Sequence, residues 1–278
     1  MAGGEAAGTK TPVTNEYDQR FGGVARLCGA AGLERLRRAH VGVVGVGGVG
    51  SWAVEALARS GVGELTLVDL DDVCVTNVNR QLPALASTVG RPKVVVLAER
   101  IADINAGCVV HPVPEFFTAA NAARLLEPGF DHVVDAIDSP SLKALLIAFC
   151  RERDLRVITA GGAGGRRDPT RVRVADLAHT SHDPLLAAVR SLLRREYGFA
   201  RSGEPFGVDC VFSREPIQYP AEGEAPCEVG SEAQTGVSAC ERRFGTVSFV
   251  TGTFGFVAAA QVVAKLAGLA GLAAAGER

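Results

Sequence analysis

The side chains with the greatest capacity for chemistry in this 278-residue chain stand next to predicted strands and helices. Asp69 ends one apolar run, Lys93 opens a helical segment, and Asp138 follows another apolar run. If the strands are parallel, these residues meet at one edge of the sheet, because ligands bind outside the carboxyl ends of the strands. A lysine ammonium there can neutralise phosphate oxygens, and a carboxylate can hold a ribose hydroxyl or a divalent cation. The spacing therefore predicts a nucleotide site.

A glycine-rich turn supplies the phosphate-binding part of this prediction. The apolar run 40–44 leads into Gly45, Gly47 and Gly50, which have the Gly-x-Gly-x-x-Gly spacing and open a helical segment. In such a turn the first glycine permits the tight bend, the second lets phosphate approach the backbone, and the third lets helix and strand pack closely. Gly48 lies in the same turn and is included among the predicted nucleotide-binding residues. The helix start then offers free N–H groups to an anion.

The charged residues favour ATP over a dinucleotide. A lone Gly-x-Gly-x-x-Gly motif most often indicates NAD or FAD. Here, however, Asn77 and Arg80 follow Asp69 closely, and Lys93 and Asp138 come later. ATP carries more phosphate charge than a dinucleotide, so additional cations and a carboxylate able to hold a metal ion suit a triphosphate.

The elements that must position these residues alternate between strands and helices along the chain. Predicted strands are 41–46, 64–69, 108–113, 131–137 and 156–160, and predicted helices are 49–60, 92–105, 119–126 and 140–153. This alternation predicts an α/β, Rossmann-like fold, with a mainly parallel sheet and helices on both faces. Further strands at 171–177 and 207–213, with a basic helix at 184–197, extend it.

The chain is predicted to be a single domain over residues 16–272, with tails at 1–15 and 273–278. Residues 214–243 are rich in Glu, Pro and Gly and are predicted to form a mobile acidic loop. A lid, a partner-binding segment and a solvated insertion are all open interpretations of this loop.

The amino-acid composition indicates which binding partners and which cellular compartment to expect. The net charge of -2 excludes a global electrostatic attraction to nucleic acid or anionic membranes, although local basic patches remain open. The seven cysteines are an odd number without a C-x-x-C pair, which favours a reducing compartment and predicts no zinc. The N-terminal residues have no apolar core typical of a signal peptide, so we expect a cytoplasmic protein.

Residues 244–264 carry no charge and are long enough to cross a bilayer. Several Gly, Ser and Thr residues dilute the apolar character of this segment, and a buried helix in an α/β core has the same composition. A buried helix is therefore preferred over a membrane span.

The motif at 69–81 reads D-x-D-x-V-x-x-x-N-x-x-R-Q. It resembles the pattern of the ThiF-like superfamily, which contains ubiquitin-activating and molybdopterin-synthase-adenylating enzymes. The glycine turn, Asn77, Arg80, Lys93 and Asp138 follow in the order that this superfamily requires. The resemblance extends over nearly the whole chain.

Other motifs resemble one branch more closely, the tRNA threonylcarbamoyladenosine dehydratase family. They are Arg20–Gly23, Asp71–Asn77, Asp135–Ser139, Gly161–Gly165, Gly207–Ser213 and Thr253–Phe256. This resemblance implies ATP-dependent cyclisation of a threonylcarbamoyl side chain on the adenosine beside the anticodon of tRNA. The carboxylate would first be joined to AMP, with release of pyrophosphate, and a nucleophile on the same side chain would then close the ring.

The resemblance also implies roles for individual residues. Asp69 would hold the ribose, Asn77 and Arg80 would contact the phosphates, Lys93 would stabilise the departing pyrophosphate, and Asp138 would bind Mg²⁺. Each charge placed where charge develops is typically worth about 3 kcal/mol.

A further arginine would come from a partner subunit, which implies a homodimer. Relatives carry R-Y-x-R-Q near the start of the domain, whereas this chain has the segment 20–26, with Arg26 about one helical turn further on. Arg26 is therefore the candidate. A sulfur-transfer protein is a further implied partner.

Several residues have open alternatives. Asp71 either helps to bind the phosphates or merely solvates a turn. Asp135 is either catalytic or the cap of the following helix, and Asp138 or Ser139 could equally be that cap. Cys210 is predicted to be an inert buried thiol, whereas a thioester mechanism would need Cys227 or Cys240. The five histidines show no metal-ligand spacing and receive no site assignment.

Basic residues in the second half of the chain could form a contact surface for tRNA. Seven arginines are candidates for contacts to tRNA phosphates, or for ordinary solvated faces: Arg166, Arg167, Arg171, Arg173, Arg190, Arg194 and Arg195.

Two alternative functions remain open. The first is an adenylating enzyme for the C-terminus of a ubiquitin-like or sulfur-carrier protein, although paired zinc cysteines are missing. The second is a NAD-dependent oxidoreductase or a non-catalytic nucleotide sensor.

Overall fold

The computed structural model describes residues 16–127, 129–201, 203–219 and 244–269. The predicted tails at 1–15 and 273–278 and residues 220–243 of the predicted acidic loop lie outside the described residues.

In the described part of the chain, the strands form one seven-stranded sheet in the order β3-β2-β1-β4-β5-β7-β6. The strands are β1 (His40–Val44), β2 (Glu64–Val68), β3 (Val109–Val113), β4 (His132–Asp135), β5 (Val157–Ala160), β6 (Val172–Asp176) and β7 (Asp209–Ser213). Neighbouring strands are parallel throughout except for β6, which pairs antiparallel with β7. The predicted fold class is confirmed, including the additional strands.

Helices cover both faces of this sheet. They are α1 (Glu16–Arg38), α2 (Gly50–Arg59), α3 (Lys93–Ile104), α4 (Ala122–Leu125), α5 (Pro140–Glu152), α6 (Pro184–Glu196) and α7 (Ser248–Ala267). Alternate residues of the central strands point to opposite faces. Val43 and Leu67 belong to a core that includes residues of α2, α3 and α7, whereas Val44 and Val68 belong to a core that includes residues of α4, α5 and α6.

Most predicted boundaries differ from the structure by one or two residues, and two of the differences have clear local reasons. The first strand ends at Val44 and not at 46, because Gly45 has a φ of +85° and bends the chain. The helix predicted at 119–126 is shortened to α4. Asn121 Oδ1 accepts hydrogen bonds from Thr118 N at 2.8 Å and Thr118 Oγ1 at 3.0 Å, which holds a turn before the helix begins.

Helix α1 has no counterpart among the predicted elements. It kinks at Gly29, where φ is +74°, and buries Phe21, Leu33 and Leu36. Arg20 Nη1 donates to Asp103 O and Ile104 O at the end of α3, at 3.1 and 2.9 Å. The glycines in this helix interrupt the apolar periodicity that would otherwise predict it.

Helix α7 contains most of the uncharged segment 244–264. It is long and apolar enough to cross a membrane by length and composition. It packs along α2, where a Cβ added to Gly255 would lie 2.5 Å from Val49 O and 2.7 Å from Trp52 Cβ. Ten of its twenty residues are buried, as expected for a core helix.

Candidate functional site

A cleft with an empty volume of about 800 Å³ lies at the carboxyl ends of β1, β2 and β4. Seven of the predicted site residues line this cleft: Gly45, Gly47, Gly48, Asp69, Asp71, Lys93 and Asp138. The parallel strands bring them together although they are spread over 94 positions, from 45 to 138. Gly50, Asn77, Arg80 and Arg26 are not on its lining.

The glycine turn joins β1 to α2 at one side of this cleft. Gly45 N donates to Val68 O at 2.8 Å, which fixes the turn against β2. A Cβ added to Gly50 would lie only 1.8 Å from Gly45 O, whereas one added to Gly47 would meet nothing closer than Gln81 Nε2 at 3.7 Å. Gly50 is therefore required for packing, and Gly47 leaves the backbone open to a ligand.

This difference predicts opposite consequences for two glycine substitutions. Gly50→Ala should lower the free energy of unfolding by about 1–3 kcal/mol or more, because backbone must shift to admit the methyl group. Gly47→Ala should keep the thermal stability near that of the parent protein and weaken ATP binding. Thermal melts with and without ATP separate the two effects. Equal melting temperatures for Gly50→Ala and the parent protein would contradict the packing role.

Asp69 lies at the end of β2 with its carboxylate directed into the turn. Its Oδ2 accepts from Val46 N at 2.8 Å, and its Oδ1 accepts from Asp71 N at 2.9 Å. Burial raises the pKa of this carboxyl above its ordinary value, while Lys93 and the two backbone donors oppose the rise. Each oxygen keeps lone-pair capacity for a ribose hydroxyl.

Lys93 is the first residue of α3 and is almost completely buried, with a side chain 5% exposed. Its Nζ lies 2.8 Å from Asp71 Oδ2, and Asp71 itself is one-third exposed at the cleft. A buried ammonium needs such a partner, since an unpaired buried charge is costly. The alternative that Asp71 merely solvates a turn is therefore wrong: it pairs with the site lysine.

Asp138 is exposed in the segment between β4 and α5. Within the described residues its carboxylate accepts no hydrogen bond, and the first turn of α5 has no side-chain cap from Ser139. Neither predicted capping role is therefore observed. An uncommitted carboxylate that lines the cleft has the donor atoms that Mg²⁺ prefers.

Asp135 is neither on the cleft lining nor a cap of α5. It is fully buried, where its Oδ2 lies 2.9 Å from Lys143 Nζ and accepts from Thr159 Oγ1 at 2.7 Å. Its Oδ1 accepts from Ile137 N at 3.1 Å. Both open interpretations of Asp135 are wrong. The buried network holds the backbone from which Asp138 extends.

Asn77 and Arg80 are buried residues that are not on the cleft lining. Asn77 Oδ1 accepts from Cys74 N at 3.0 Å, which closes the single turn of 3₁₀-helix at Val75–Asn77. Arg80 Nη1 donates to Thr76 O at 2.7 Å, and a Cβ added to Gly48 would lie 3.7 Å from Arg80 Cγ. Arg80 therefore lies against the glycine turn, and the contacts of both side chains to phosphate stay a prediction.

Ten residues of the cleft lining are absent from the predicted set of site residues, among them Gln81, Glu115, Phe116 and Phe117. Gln81 ends the motif at 69–81, so the motif itself contained the signal. Glu115, Phe116 and Phe117 follow β3, and only their position after a parallel strand could have indicated them. Phe116 is half exposed and adds an apolar wall.

Arg26 is exposed on α1 and lies outside the cleft of its own chain. Its guanidinium lies beside Gly22 and Gly23 of the same helix.

Of the cysteines, Cys210 is completely buried and burial raises the pKa of its thiol well above the ordinary value, which agrees with an inert role. Cys227 and Cys240 lie outside the described residues.

Arg166 is a correction to the predicted tRNA footprint, because its side chain is fully buried. Its guanidinium donates to four backbone carbonyls, those of Gly162, His182, Ser213 and Glu215, and to the carboxylate of Asp183. This arginine holds the loops after β5 and β7 together and cannot reach a phosphate.

Comparison with known proteins agrees with this geometry. The ThiF family profile matches residues 19–277. A tRNA threonylcarbamoyladenosine dehydratase of Haemophilus influenzae is 48% identical over 253 residues, which cover 91% of this chain and 95% of that protein. A sulfur carrier protein adenylyltransferase of Thermus thermophilus is 40% identical over 111 residues, 40% of this chain and 41% of that protein.

Comparison with solved structures indicates the same family. The E. coli tRNA N6-threonylcarbamoyladenosine dehydratase TcdA, solved in complex with ATP and with AMP, matches with a TM-score of 0.81 and 46% identity. The match covers 92% of this chain and 97% of that chain. The chain therefore belongs to the ThiF family and, within it, to the tRNA threonylcarbamoyladenosine dehydratases.

Proposed function

We propose that this protein uses ATP to dehydrate threonylcarbamoyladenosine in tRNA beside the anticodon, which makes it an adenylate-forming, cyclising ligase. The observation that supports this function is the composition of the cleft. An open glycine turn, a buried lysine and two carboxylates converge there, at the carboxyl edge of the sheet. The similar E. coli enzyme was solved with ATP and with AMP, the nucleotide consumed in the adenylation step and the nucleotide expelled on ring closure.

The glycine turn and Lys93 are the groups that handle the triphosphate. The N-terminus of α2 follows the turn and offers free N–H groups and the positive end of the helix dipole. Lys93 contributes a fixed ammonium in a poorly hydrated position, where a charge acts more strongly than in water. Negative charge that grows on the departing pyrophosphate is the charge these groups stabilise.

Asp69 and Asp138 serve the nucleotide in different ways. Asp69 is held by two backbone donors and accepts a ribose hydroxyl, which positions the α-phosphorus. Asp138, with Asp71 close to the same cleft, is the residue that would hold Mg²⁺. When bound, the metal ion supplies positive charge to phosphate oxygens.

Ring closure needs little further chemistry from the protein. The carboxylate of the substrate attacks the α-phosphorus, pyrophosphate leaves, and an acyl adenylate forms. A nucleophile on the same side chain then attacks the acyl carbon and expels AMP, so that one water is lost overall. Intramolecular attack in a favourable geometry gains about 7–11 kcal/mol over a bimolecular reaction.

One assay tests this proposal directly. The protein is incubated with ATP, Mg²⁺ and threonylcarbamoylated tRNA, and the modified nucleoside is analysed by mass spectrometry. We expect the nucleoside to lose one water, with release of one pyrophosphate per product. An unchanged nucleoside mass, together with ATP consumption that depends on a sulfur-carrier protein, would favour the alternative adenylyltransferase. That alternative has weaker support, because the similarity to such an enzyme covers only 40% of this chain.

An arginine patch beside the cleft is the proposed contact to tRNA. It consists of Arg167, Arg171 and Arg214, which are exposed near the carboxyl edge of β5 and β7. Arg214 N donates to Arg171 O at 3.1 Å, and Arg167 N donates to Glu215 Oε2 at 2.9 Å, so the three residues are neighbours. The patch keeps two of the seven predicted arginines and adds Arg214. Arg173, Arg190, Arg194 and Arg195 are not part of it.

Three phosphate contacts predict a measurable salt dependence. Raising salt from about 50 to 200 mM should weaken tRNA binding by about 20- to 40-fold. Replacing the arginine patch with alanine should flatten this slope, whereas Arg38→Ala, an exposed arginine at the end of α1, should leave it unchanged. Filter binding at several salt concentrations measures the slope. Equal slopes for the patch variant and the parent protein would disprove the contact.

The homodimer and the role of Arg26 form a further part of the proposal. Arg26 is exposed and outside its own cleft, which fits a residue that acts on a partner subunit. If so, mixing inactive Arg26→Ala and Lys93→Ala proteins should restore activity, because one site of each mixed dimer has both groups. No restoration in a mixture shown to contain mixed dimers would exclude the role in trans.

The remaining assignments follow from the chain's chemistry. We place the protein in the cytoplasm, where five cysteines of the described part are free thiols. A sulfur-transfer protein remains a proposed partner. Helix α7 packs against α2, which favours a core helix over a membrane span.

A further inference from the structure

Three side chains that sequence spacing left unassigned meet at the opposite end of the sheet from the nucleotide cleft. They are His40 on β1, Glu64 on β2 and His111 on β3. One ligand atom from each lies within 4.8 Å of the others, and no other such group of three or more His, Cys, Asp or Glu occurs in the described ranges. We propose that this cluster, here called the edge cluster, binds a divalent transition-metal ion of the zinc class.

Strand register explains why the edge cluster forms. His40 pairs with Glu64 across β1 and β2, and Thr66 pairs with His111 across β2 and β3. All four residues therefore share one face of the sheet. His40 and Glu64 stand about 13 Å from the carboxyl ends of their strands, and His111 stands about 7 Å from the carboxyl end of β3. The edge cluster is therefore separate from the adenylation site, and this proposal does not rest on the proposed function.

One of the two measured ligand distances already matches tetrahedral coordination of a metal ion, and the other is that of a hydrogen bond. Tetrahedral coordination with bonds of about 2.1 Å places neighbouring ligand atoms about 3.4 Å apart. His40 Nδ1 lies 3.6 Å from Glu64 Oε1, close to that separation and too far for a hydrogen bond. His111 Nε2 lies 2.8 Å from the same oxygen and would have to move by about half an ångström. His111 and Glu64 are 47% and 37% exposed, so both can move.

Thr66 orients the most buried ligand. Its Oγ1 lies 2.8 Å from His40 Nε2. In the tautomer whose Nε2–H donates to this hydroxyl, the Nδ1 lone pair is directed toward Glu64. Metal-ligating histidines usually donate their other ring N–H to such an oxygen.

Packing around His40 also favours its neutral form. Phe130 stacks edge-on against the imidazole, with ring centroids 4.7 Å apart, and His40 is only 12% exposed. A neutral imidazole is the form that binds a metal ion.

The ligand set indicates the class of metal. Two imidazoles and one carboxylate favour Zn²⁺, Co²⁺, Ni²⁺ or Cu²⁺ over Mg²⁺ and Ca²⁺, which prefer oxygen ligands only. Three protein ligands leave one tetrahedral position for water. The absence of paired cysteines excludes only a cysteine-based site, and these histidines are more than 70 positions apart, so their meeting is invisible in the sequence.

The experiment uses the full chain without an affinity tag and titrates it with Co²⁺ and Zn²⁺. We expect one Co²⁺ per chain with visible d–d absorption and without a thiolate-to-cobalt charge-transfer band, and displacement of the Co²⁺ by Zn²⁺. Thermal melts should shift upward with Zn²⁺, because an ion that binds only the folded state stabilises it.

Two variants make the test specific. His111→Gln and Glu64→Gln, both at partly exposed positions, should each weaken Co²⁺ binding on the order of tenfold or more. The matched control is His179→Gln, an exposed histidine near β6, which should bind Co²⁺ as the parent protein does. Unchanged affinity in both cluster variants would overturn the proposal, as would a charge-transfer band that assigns the ion to cysteines.

Discussion

Lys93→Ala should reduce pyrophosphate release from ATP and threonylcarbamoylated tRNA by about 100- to 1,000-fold, while the fold remains intact. The substitution removes the buried ammonium at the cleft and leaves Asp71 without its partner at 2.8 Å. The cleft thus loses a positive charge and gains an unmatched negative one beside the triphosphate. Both changes oppose the charge that develops on pyrophosphate. Single-turnover kinetics measure the loss, and thermal melts confirm folding.

Two further variants distinguish the loss of the Lys93 charge from structural damage at the cleft. Arg91→Ala removes a cation from the same loop, but that cation is exposed and paired with Glu99 at the surface, so activity should change little. Asp71→Asn keeps the ammonium and removes its partner, so the loss should be smaller than for Lys93→Ala. Turnover of Lys93→Ala near that of the parent protein would refute the role of Lys93.

Asp138→Asn should also reduce pyrophosphate release by about 100- to 1,000-fold at low Mg²⁺ concentration. The amide keeps the shape of the side chain but removes the charge that attracts a cation. Because Asp138 is exposed and accepts no hydrogen bond from the described residues, stability should not change. The measurement is the Mg²⁺ concentration that gives half-maximal rate, which should rise in the variant.

Asp72→Asn is the matched control for Asp138→Asn. Asp72 is exposed close to the cleft but is not part of its lining, so the same change in charge occurs nearby without a ligand role. The Mg²⁺ dependence of this control should match that of the parent protein. If Asp138→Asn shows the same Mg²⁺ dependence as the control, Asp138 is not a metal ligand.

Patterns within single segments were sufficient to predict the fold and seven of the seventeen residues that line the cleft. The alternation of apolar runs and helical segments predicts the parallel sheet, and the carboxyl ends of its strands must share an edge. Gly45, Asp69, Lys93 and Asp138 consequently meet there. Helix α1 escaped prediction because glycines interrupt its apolar periodicity.

The roles of buried polar groups could not be read from local patterns. Asp135 and Arg166 have the same residue types as site residues and stand in motif-like segments, yet both are fully buried partners of other groups. Whether a charged side chain points into a cleft or into the core depends on which strand face and which loop lie opposite it. That arrangement exists only after the chain has packed.

The sequence by itself determined the nucleotide-binding end of the protein, because its glycine spacing and strand-end charges follow from local chain geometry. Only the tertiary structure decided that Lys93 is held by Asp71, that Arg166 is a core residue, and that His40, Glu64 and His111 share one face at the other end. These contacts depend on the register between neighbouring strands and on loop packing. Both join residues that are far apart in the chain, so no local pattern encodes them.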